Sequence, residues 1–300
     1  MNGDSTRDGD SELAAARQAF LTAGLTALSE VRGGQDWVQV GLGLDTPAGP
    51  QLYSELAEAA RALLDEGTAV NFFFLHKPPG LRVRFQAAAG RYDELRVRVG
   101  TMAQRLPIRQ ALPAVYEPEA ALFGGSTSMD FVHQLFTADS LGWLDVHRNR
   151  AAEPVPAWAV SLLLLRAVFD GLGIVGWEDR GVWDLVRHEA GRRLDPAARQ
   201  VSELDRAAAG LAKHWAAPAQ LRELLPPGVR AMVDRHREQA VLIGARWRAG
   251  YFETGAARIG PRRCAAHYTV FHWNRARLSG VRQCLLAEAL ADPKAAGSDG

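Results

Sequence analysis

Two arginines share one face of a short β-type segment. Apolar and basic side chains alternate in residues 81–85, and the period of two along a strand places Arg82 and Arg84 together, opposite the apolar side chains. Paired guanidinium groups are good ligands for carboxylates and carbonyl oxygens. The alternative is that both side chains are solvated on the polar face of an edge strand.

Three polar side chains near the C-terminus have the spacing of one helix face. Tyr268, His272 and Arg275 lie at i, i+4 and i+7, so a helix here would place a phenol, a titratable imidazole and a fixed cation on one stripe. Such a group could act in general acid and base catalysis. Histidine and tyrosine packed for stability give the same pattern, and the spacing alone leaves both interpretations open.

The sequence contains no recognisable motif for a metal or a cofactor. Cys264 and Cys284 are the only cysteines, and the eight histidines include no His-x-x-x-His pair. Residues 171–176 match Gly-x-Gly-x-x-Gly, but they follow a leucine-rich, helix-like run instead of a strand, so they predict the turn at the end of a helix. We therefore predict no metal and no organic cofactor.

The composition excludes several classes of partner. The chain of 300 residues is 47% hydrophobic and 23% charged, as expected of a folded globular protein, and its formal net charge of +1 provides no global field to attract nucleic acid or an anionic membrane. The most apolar stretch, residues 158–169, is too short to span a bilayer and contains Arg166. With no export signal visible, the sequence predicts a cytoplasmic protein without nucleic-acid or membrane partners.

The elements that must position these residues change character near residue 129. Upstream, strand and helix patterns alternate, and residues 72–85 read as two strands separated by a Pro-Pro-Gly turn. Downstream the patterns are helical, except that the last element, residues 265–291, begins with β-capable residues. We predict an α+β fold in which a mixed α/β part with a small sheet, residues 11–128, packs on a largely helical lobe, residues 129–292.

The chain reads as one domain between two polar tails. Residues 1–10 and 293–300 are rich in small and polar residues and predict disordered tails. Leu21, Leu25 and Leu28 mark a first helix. The Pro-Val-Pro break in the middle of the chain is too short for an interdomain linker, so residues 11–292 are predicted to form a single domain.

Several separated motifs resemble one family. Residues 72–85 resemble the hallmark of the C-terminal elimination domain of class I lanthipeptide dehydratases, an aromatic strand followed by a Pro/Gly turn and a Leu-Arg-x-Arg-Phe strand. In the same order, residues 116–125 resemble its Tyr-x-x-Glu-x-x-Arg-Tyr-Gly-Gly motif, residues 138–140 its helical Asp-Ser, and residues 272–275 the end of its His-Met-x-x-Asn-Arg segment. The resemblance implies the fold of that elimination domain.

The departures from this pattern affect the implied activity. The resemblance implies that two arginines, a glutamate and arginine of the Glu-x-x-Arg pattern, and a late histidine eliminate glutamate from a glutamyl ester. Arg82, Arg84 and Glu119 match, but Leu122 stands in place of the second motif's arginine and Val270 in place of the histidine. Without that cation and that base, glutamate elimination lacks a carboxylate partner and a proton acceptor.

A chain of this superfamily without the large glutamylation domain resembles two proteins of thiopeptide biosynthesis, a split glutamate-elimination subunit and the pyridine synthase. The departures favour the pyridine synthase, which joins two dehydroalanines of a linear precursor peptide by a formal aza-cycloaddition and then loses water and the leader peptide. The chemistry needs no cofactor, because proximity and orientation can supply about 7–11 kcal/mol of the barrier.

The resemblance implies roles for seven residues. The implied catalytic residues are His272 or Tyr268 as proton donor and Glu119 as base or orienting group. The implied substrate-binding residues, which would hold carbonyl groups or acidic leader residues, are Arg82, Arg84, Arg275 and Asn274. Alternatively, these residues now serve only to hold the inherited fold.

The implied partner is the precursor peptide, composed of a leader and a core that contains dehydroalanine; other enzymes of such peptide pathways are possible partners. We expect leader recognition near residues 11–75, which could offer an edge or a groove to a peptide. Two other functions stay open: a split glutamate-elimination subunit, and a catalytically silent protein that only binds the leader.

Overall fold

A computed structural model describes residues 16–20, 24, 36–195 and 202–291. Residues 16–20 and 24 are helical. The helix predicted from Leu21, Leu25 and Leu28, and the two predicted tails, lie outside the described residues.

Four strands form one antiparallel sheet. They are β1 (Trp37–Gly43), β2 (Ala69–Lys77), β3 (Gly80–Ala87) and β4 (Gln110–Ala114). The order across the sheet is β2-β3-β1-β4, and each neighbouring pair is antiparallel. The predicted hairpin of β2 and β3 is therefore present, and β1 lies on the other side of β3.

Helices connect the strands and make up the rest of the described chain. Two of them belong to the N-terminal part: α1 (Pro50–Asp65) and α2 (Tyr92–Arg105). The others follow the sheet: α3 (Ser126–Arg148), α4 (Ala157–Gly171), α5 (Glu178–His188), α6 (Ser202–Ala216), α7 (Pro218–Glu223), α8 (Pro227–Gly250), α9 (Pro261–Arg275) and α10 (Gly280–Ala291). Short 3-10 helices span Ala120–Phe123 and Phe252–Thr254. The α+β fold with a small sheet beside a largely helical part is confirmed, and the final element is two helices without a strand.

The sheet packs on the helices through strand β2. Its aromatic run is buried, with Phe72, Phe73 and Phe74 at most 1% exposed. The hydroxyl groups of two α3 residues accept hydrogen bonds from the backbone of β2, Thr137 from Phe72 N (3.0 Å) and Ser140 from Phe74 N (3.4 Å). Helix α3 therefore satisfies part of the outer edge of β2 and fixes the position of the sheet.

The alternation in β3 holds in the structure. Leu81, Val83 and Phe85 are fully buried, whereas Arg82 is half-buried. Arg84 pairs with Phe73 of β2 on one side and with Gln39 of β1 on the other. Because β3 is an inner strand and Arg84 is 9% exposed, the edge-strand interpretation does not apply to Arg84.

The Gly-x-Gly-x-x-Gly segment is the end of helix α4. The helix stops at Gly171, and Gly173 has a φ of +70°, the left-handed conformation typical of a helix C-terminus. Gly171 also lies directly on α8, since a Cβ atom added to Gly244 would be 2.7 Å from the carbonyl carbon of Gly171. These glycines allow two helix backbones to touch.

Within the described residues, no helix is both long enough and apolar enough to cross a bilayer.

We expect Gly244→Val to destabilise the protein by about 1–3 kcal/mol, because the added atoms would overlap the backbone of Gly171. Urea unfolding measures this change. Gly210→Ala on α6 is the control: a Cβ there meets no atom within 4 Å, so it should stabilise by about 0.5–1 kcal/mol. Equal effects of the two substitutions would contradict the close helix contact.

Candidate functional site

A buried carboxylate lies at the centre of the helical part. Asp139 of α3 has no exposed surface. The Nε of Arg275 donates to its Oδ2 (2.5 Å), and Nδ1 of His272 lies 2.8 Å from its Oδ1. Burial opposes ionisation, but the electrostatic interactions with His272 and Arg275 and the hydrogen bond with His272 outweigh it and hold the pKa of Asp139 below its usual range. The carboxylate is therefore ionised and paired.

Both nitrogens of the His272 imidazole form hydrogen bonds. Its Nε2 lies 2.9 Å from the hydroxyl oxygen of Ser161 on α4. With the proton on Nδ1, facing Asp139, Nε2 is free to accept the Ser161 hydrogen. The indole of Trp143 packs against the same ring at a centroid distance of 5.4 Å. This histidine thus has a fixed orientation and, like Asp139, no exposed surface.

The Arg275 guanidinium lies between aromatic faces. Its central carbon is 4.5 Å from the ring centroid of Phe136 and 5.7 Å from that of Tyr268, distances at which aromatic faces attract a cation. Among the described residues, neither terminal nitrogen of Arg275 has a hydrogen-bond partner. Tyr268 is itself fully buried, which raises the pKa of its phenol well above the ordinary value. The predicted stripe of three residues exists, and it faces the interior.

Arg84 occupies a similar setting at the sheet. Its Nε donates to Oε1 of Gln39 (2.5 Å), and its guanidinium lies 5.0 Å from the Phe73 ring centroid and 4.8 Å from that of Tyr116. Burial lowers the pKa of Arg84 to about 10, so the group stays charged at neutral pH.

The arginines and Glu119 act on one another electrostatically. The cations Arg82 and Arg275 lower the pKa of Arg84, while the carboxylate of Glu119 raises it. These four predicted residues therefore share one neighbourhood. Arg82 is half-buried, with its Nε donating to the carbonyl oxygen of Pro78 (3.2 Å), and Glu119 is exposed.

Asn274, another predicted site residue, contacts strand β2 through its backbone. Its backbone carbonyl oxygen is 2.8 Å from Nδ1 of His76. His76 in turn contacts the hydroxyl of Tyr53 through Nε2 (2.9 Å). This contact ties the end of α9 to strand β2, and the role of the Asn274 side chain stays a prediction.

Sequence reasoning missed several polar residues of the site. Tyr116 and His133 form a buried pair under Arg84, with the phenol oxygen 2.8 Å from Nε2. His236 of α8 is 3% exposed and places Nε2 3.7 Å from Oδ1 of Asp139. Neither nitrogen of His236 has a hydrogen-bond partner among the described residues. Asp139 is part of the Asp-Ser motif that resembles the family, but the sequence spacing did not indicate that Ser161 and His236 lie beside Asp139 and His272.

Across the described ranges, no three His, Cys, Asp or Glu side chains are grouped so that they could hold a metal ion.

Residues 37–292 match the family model described as the C-terminal part of the lantibiotic biosynthesis dehydratase, and the chain belongs to that family. The search of curated proteins gave no match.

Three solved structures share the fold. The tRNA-dependent lantibiotic dehydratase MibB from Microbispora sp. 107891 is 20% identical with a TM-score of 0.60, and the match covers 89% of this chain and 28% of that chain. TbtD, the pyridine synthase from thiomuracin biosynthesis, is 14% identical with a TM-score of 0.55, and the match covers 87% of this chain and 97% of that chain. TsrL is 13% identical with a TM-score of 0.52, and the match covers 84% of this chain and 93% of that chain. The chain thus spans little more than a quarter of MibB, and at these identities the likeness concerns the fold alone.

We expect the free energy of unfolding to fall as the pH is lowered from 7.5 to 5. Burial is the main cause that lowers the pKa of His76 to about 3 and those of His133, His147 and His236 to about 4. Below the ordinary value of about 6.5 the unfolded chain binds protons that the folded chain does not, and each histidine contributes up to about 1.4 kcal/mol per pH unit. Urea unfolding at a series of pH values measures the slope.

His236→Leu should reduce that slope by about 1.4 kcal/mol per pH unit, the equivalent of one proton. Asp139 does not contribute in this window: its pKa is lowered, so its stabilising effect is lost only as the pH falls below the ordinary carboxyl range. Met232→Leu, a buried substitution on the same helix, should leave the slope unchanged. An unchanged slope in His236→Leu would contradict a neutral, buried His236.

Proposed function

We propose that the chain is a pyridine synthase of thiopeptide biosynthesis. It joins two dehydroalanines of a linear, thiazole-bearing precursor into a six-membered nitrogen heterocycle, and it closes the macrocycle as it does so. The observation that carries the proposal is a pair of apolar replacements, Leu122 and Val270, at positions where the resembling elimination domains have a cation and a base.

Both replacements are accessible to a substrate. Leu122 is 37% exposed on the 3-10 helix after Glu119, and Val270 is half-buried on α9. Partly exposed apolar side chains can pack against flat, weakly polar rings such as thiazoles, but they bind a glutamyl carboxylate poorly. The arginines of β3 are retained, so the site still binds carbonyl oxygens.

The reaction needs positioned donors and a base. One backbone amide of the precursor shifts a proton from nitrogen to oxygen and becomes the iminol end of a 2-azadiene. The two dehydroalanine methylene carbons then bond to each other, and the iminol carbon bonds to the α-carbon of the second dehydroalanine. Water leaves with the former amide oxygen, and the leader leaves as a carboxamide when the ring becomes aromatic. No external oxidant or reductant is required.

Arg82, Arg84 and Glu119 carry the contacts with the substrate in this proposal, although Arg84 is itself only 9% exposed. Arg82 and Arg84 donate to the amide oxygen, where negative charge develops. Glu119, within the electrostatic reach of Arg84, accepts a proton during the amide shift or ring formation.

His272 and Tyr268 remain candidates for proton transfer, as the resemblance implies. Because neither has exposed surface, we assign them, in the resting structure, to positioning Arg275. Arg275 and Asn274 complete the group proposed to hold the substrate. Arg275 has no exposed surface either, so in the resting structure it acts on the site through its charge, which reaches Arg84.

The assay uses the purified chain and a linear thiazole peptide that carries a leader and two dehydroalanines. We expect a product lighter by water plus the leader, together with the leader carboxamide, both detected by mass spectrometry. Free glutamate released from a glutamylated peptide would assign the elimination activity instead. Leader binding with no mass change in any dehydrated substrate would assign the catalytically silent alternative.

Arg84→Lys should lower kcat/KM in that assay by about a hundredfold, because lysine keeps the charge but lacks the planar donors that bind a developing oxyanion. Arg96→Lys on α2 is the matched control; its side chain is 56% exposed and should leave kcat/KM unchanged. Thermal unfolding of both variants tests that they fold. Wild-type turnover by a folded Arg84→Lys protein would contradict a role of Arg84 in binding the substrate.

A further inference from the structure

A cavity of about 740 Å³ lies within the helical part of the chain. It is bounded by the C-terminal half of α3, the start of α4, helix α6, and the segment from the end of α9 into α10. Its volume falls in the range of ligand pockets, which is about 300–1,000 Å³. None of the proposed site residues lines it.

Its lining combines cations with an apolar floor. Three arginines, all exposed, stand around it: Arg150, Arg277 and Arg282. Among the described residues, the lining contains no carboxylate, and none of the described ion pairs includes Arg150, Arg277 or Arg282. Three exposed arginines around one cavity favour a local positive field although the whole chain is almost neutral.

The floor is aromatic and aliphatic. Trp143 is fully buried, Trp158 is half-buried against His214 at a ring distance of 5.4 Å, and leucines of α6 and α10 complete the surface. Burial lowers the pKa of His147 to about 4, so this lining imidazole is neutral at pH 7 and the attraction comes from the arginines. Such a lining suits a ligand that carries both carboxylates and apolar side chains.

We propose that this cavity binds an acidic peptide segment in which acidic and apolar residues are mixed. That the segment belongs to the leader of the precursor rests on the proposed function. The location differs from the surface at residues 11–75 expected from the sequence.

The cavity floor is connected to the buried carboxylate. Asp139, Trp143 and His147 follow one another at intervals of four residues on α3, so they share a face and span about 12 Å. Trp143 packs on the His272 ring, and Nε2 of His147 lies 2.8 Å from the carbonyl oxygen of Arg275. A peptide bound here therefore lies against Trp143 and His147, which contact His272 and Arg275.

The test measures binding of the fluorescein-labelled peptide Glu-Leu-Asp-Leu-Glu-Gly to the full chain by anisotropy, beside its neutral counterpart Gln-Leu-Asn-Leu-Gln-Gly. Gly210 lines the cavity on α6, and a Cβ there meets no atom within 4 Å. Gly210→Trp should fill the cavity and weaken binding of the acidic peptide at least tenfold. Gly100→Trp, at an equally open helical glycine on α2, should not.

A second pair of variants tests the charges. Arg150→Glu/Arg282→Glu should weaken acidic-peptide binding at least tenfold, whereas Arg96→Glu/Arg105→Glu, with the same change in charge on α2, should leave it within twofold. Equal losses in both double variants, or equal affinity for the neutral peptide, would overturn the proposal. Binding of oligouridylate at the cavity without binding of the peptide would also overturn it, in favour of a nucleic-acid ligand.

These measurements need no turnover, so they separate the two proposals. If the acidic peptide binds in the cavity but no pyridine forms, the cavity assignment stands and the synthase assignment falls. If pyridine forms, Gly210→Trp should raise KM for the leader-bearing substrate at least tenfold and leave kcat unchanged. If Gly210→Trp changes neither KM nor peptide binding, the result would contradict the proposed cavity ligand and leave the proposed synthase activity standing.

Discussion

The buried ion pair of Asp139 and Arg275 is the interaction on which the helical part depends. A carboxylate without exposed surface is tolerated only when cations and donors surround it, and here those groups come from separate helices. His272 and Arg275 approach from α9, and His272 also reaches Ser161 of α4. His236 of α8 lies 3.7 Å away. Four helices are thus arranged around one charge, and removing His272 or Arg275 would leave Asp139 buried with one hydrogen-bond partner fewer.

The same ion pair leaves part of the Arg275 guanidinium without a hydrogen-bond partner. Because Asp139 binds only the Nε of Arg275, the two terminal nitrogens are left without partners among the described residues. Arg84 is similar, with Nε on Gln39 and its plane beside two aromatic rings. The positive charges of Arg275 and Arg84 repel each other, which contributes to the lowered pKa of Arg84. In the proposed reaction, a substrate oxygen that becomes anionic would relieve that repulsion.

Local patterns predicted the parts of the site that lie within one element. The period of two in β3 gave the shared face of Arg82 and Arg84, and the helical spacing gave the stripe on α9, because both patterns depend only on neighbouring residues. The contacts between elements could not be obtained in this way. Asp139 meets His272 across 133 residues, and Gln39 reaches Arg84 because β1 inserts beside β3. The β-capable residues at the start of residues 265–291 lie within helix α9, since packing against α3 and α5 overrides the weak preference of β-branched and aromatic residues.

The two proposed sites have opposite physical requirements. Chemistry on an amide needs charges that are dehydrated and fixed, which the aromatic neighbours of Arg84 and Arg275 provide. Capture of a flexible acidic peptide needs cations that solvent can reach, as at Arg150 and Arg282. If both proposals hold, two separate sites would let the binding energy of a remote segment hold the reacting groups together without neutralising the cations that must meet the developing charge. A single pocket for both tasks would place the acidic segment beside those cations, where it would compete with the reacting amide.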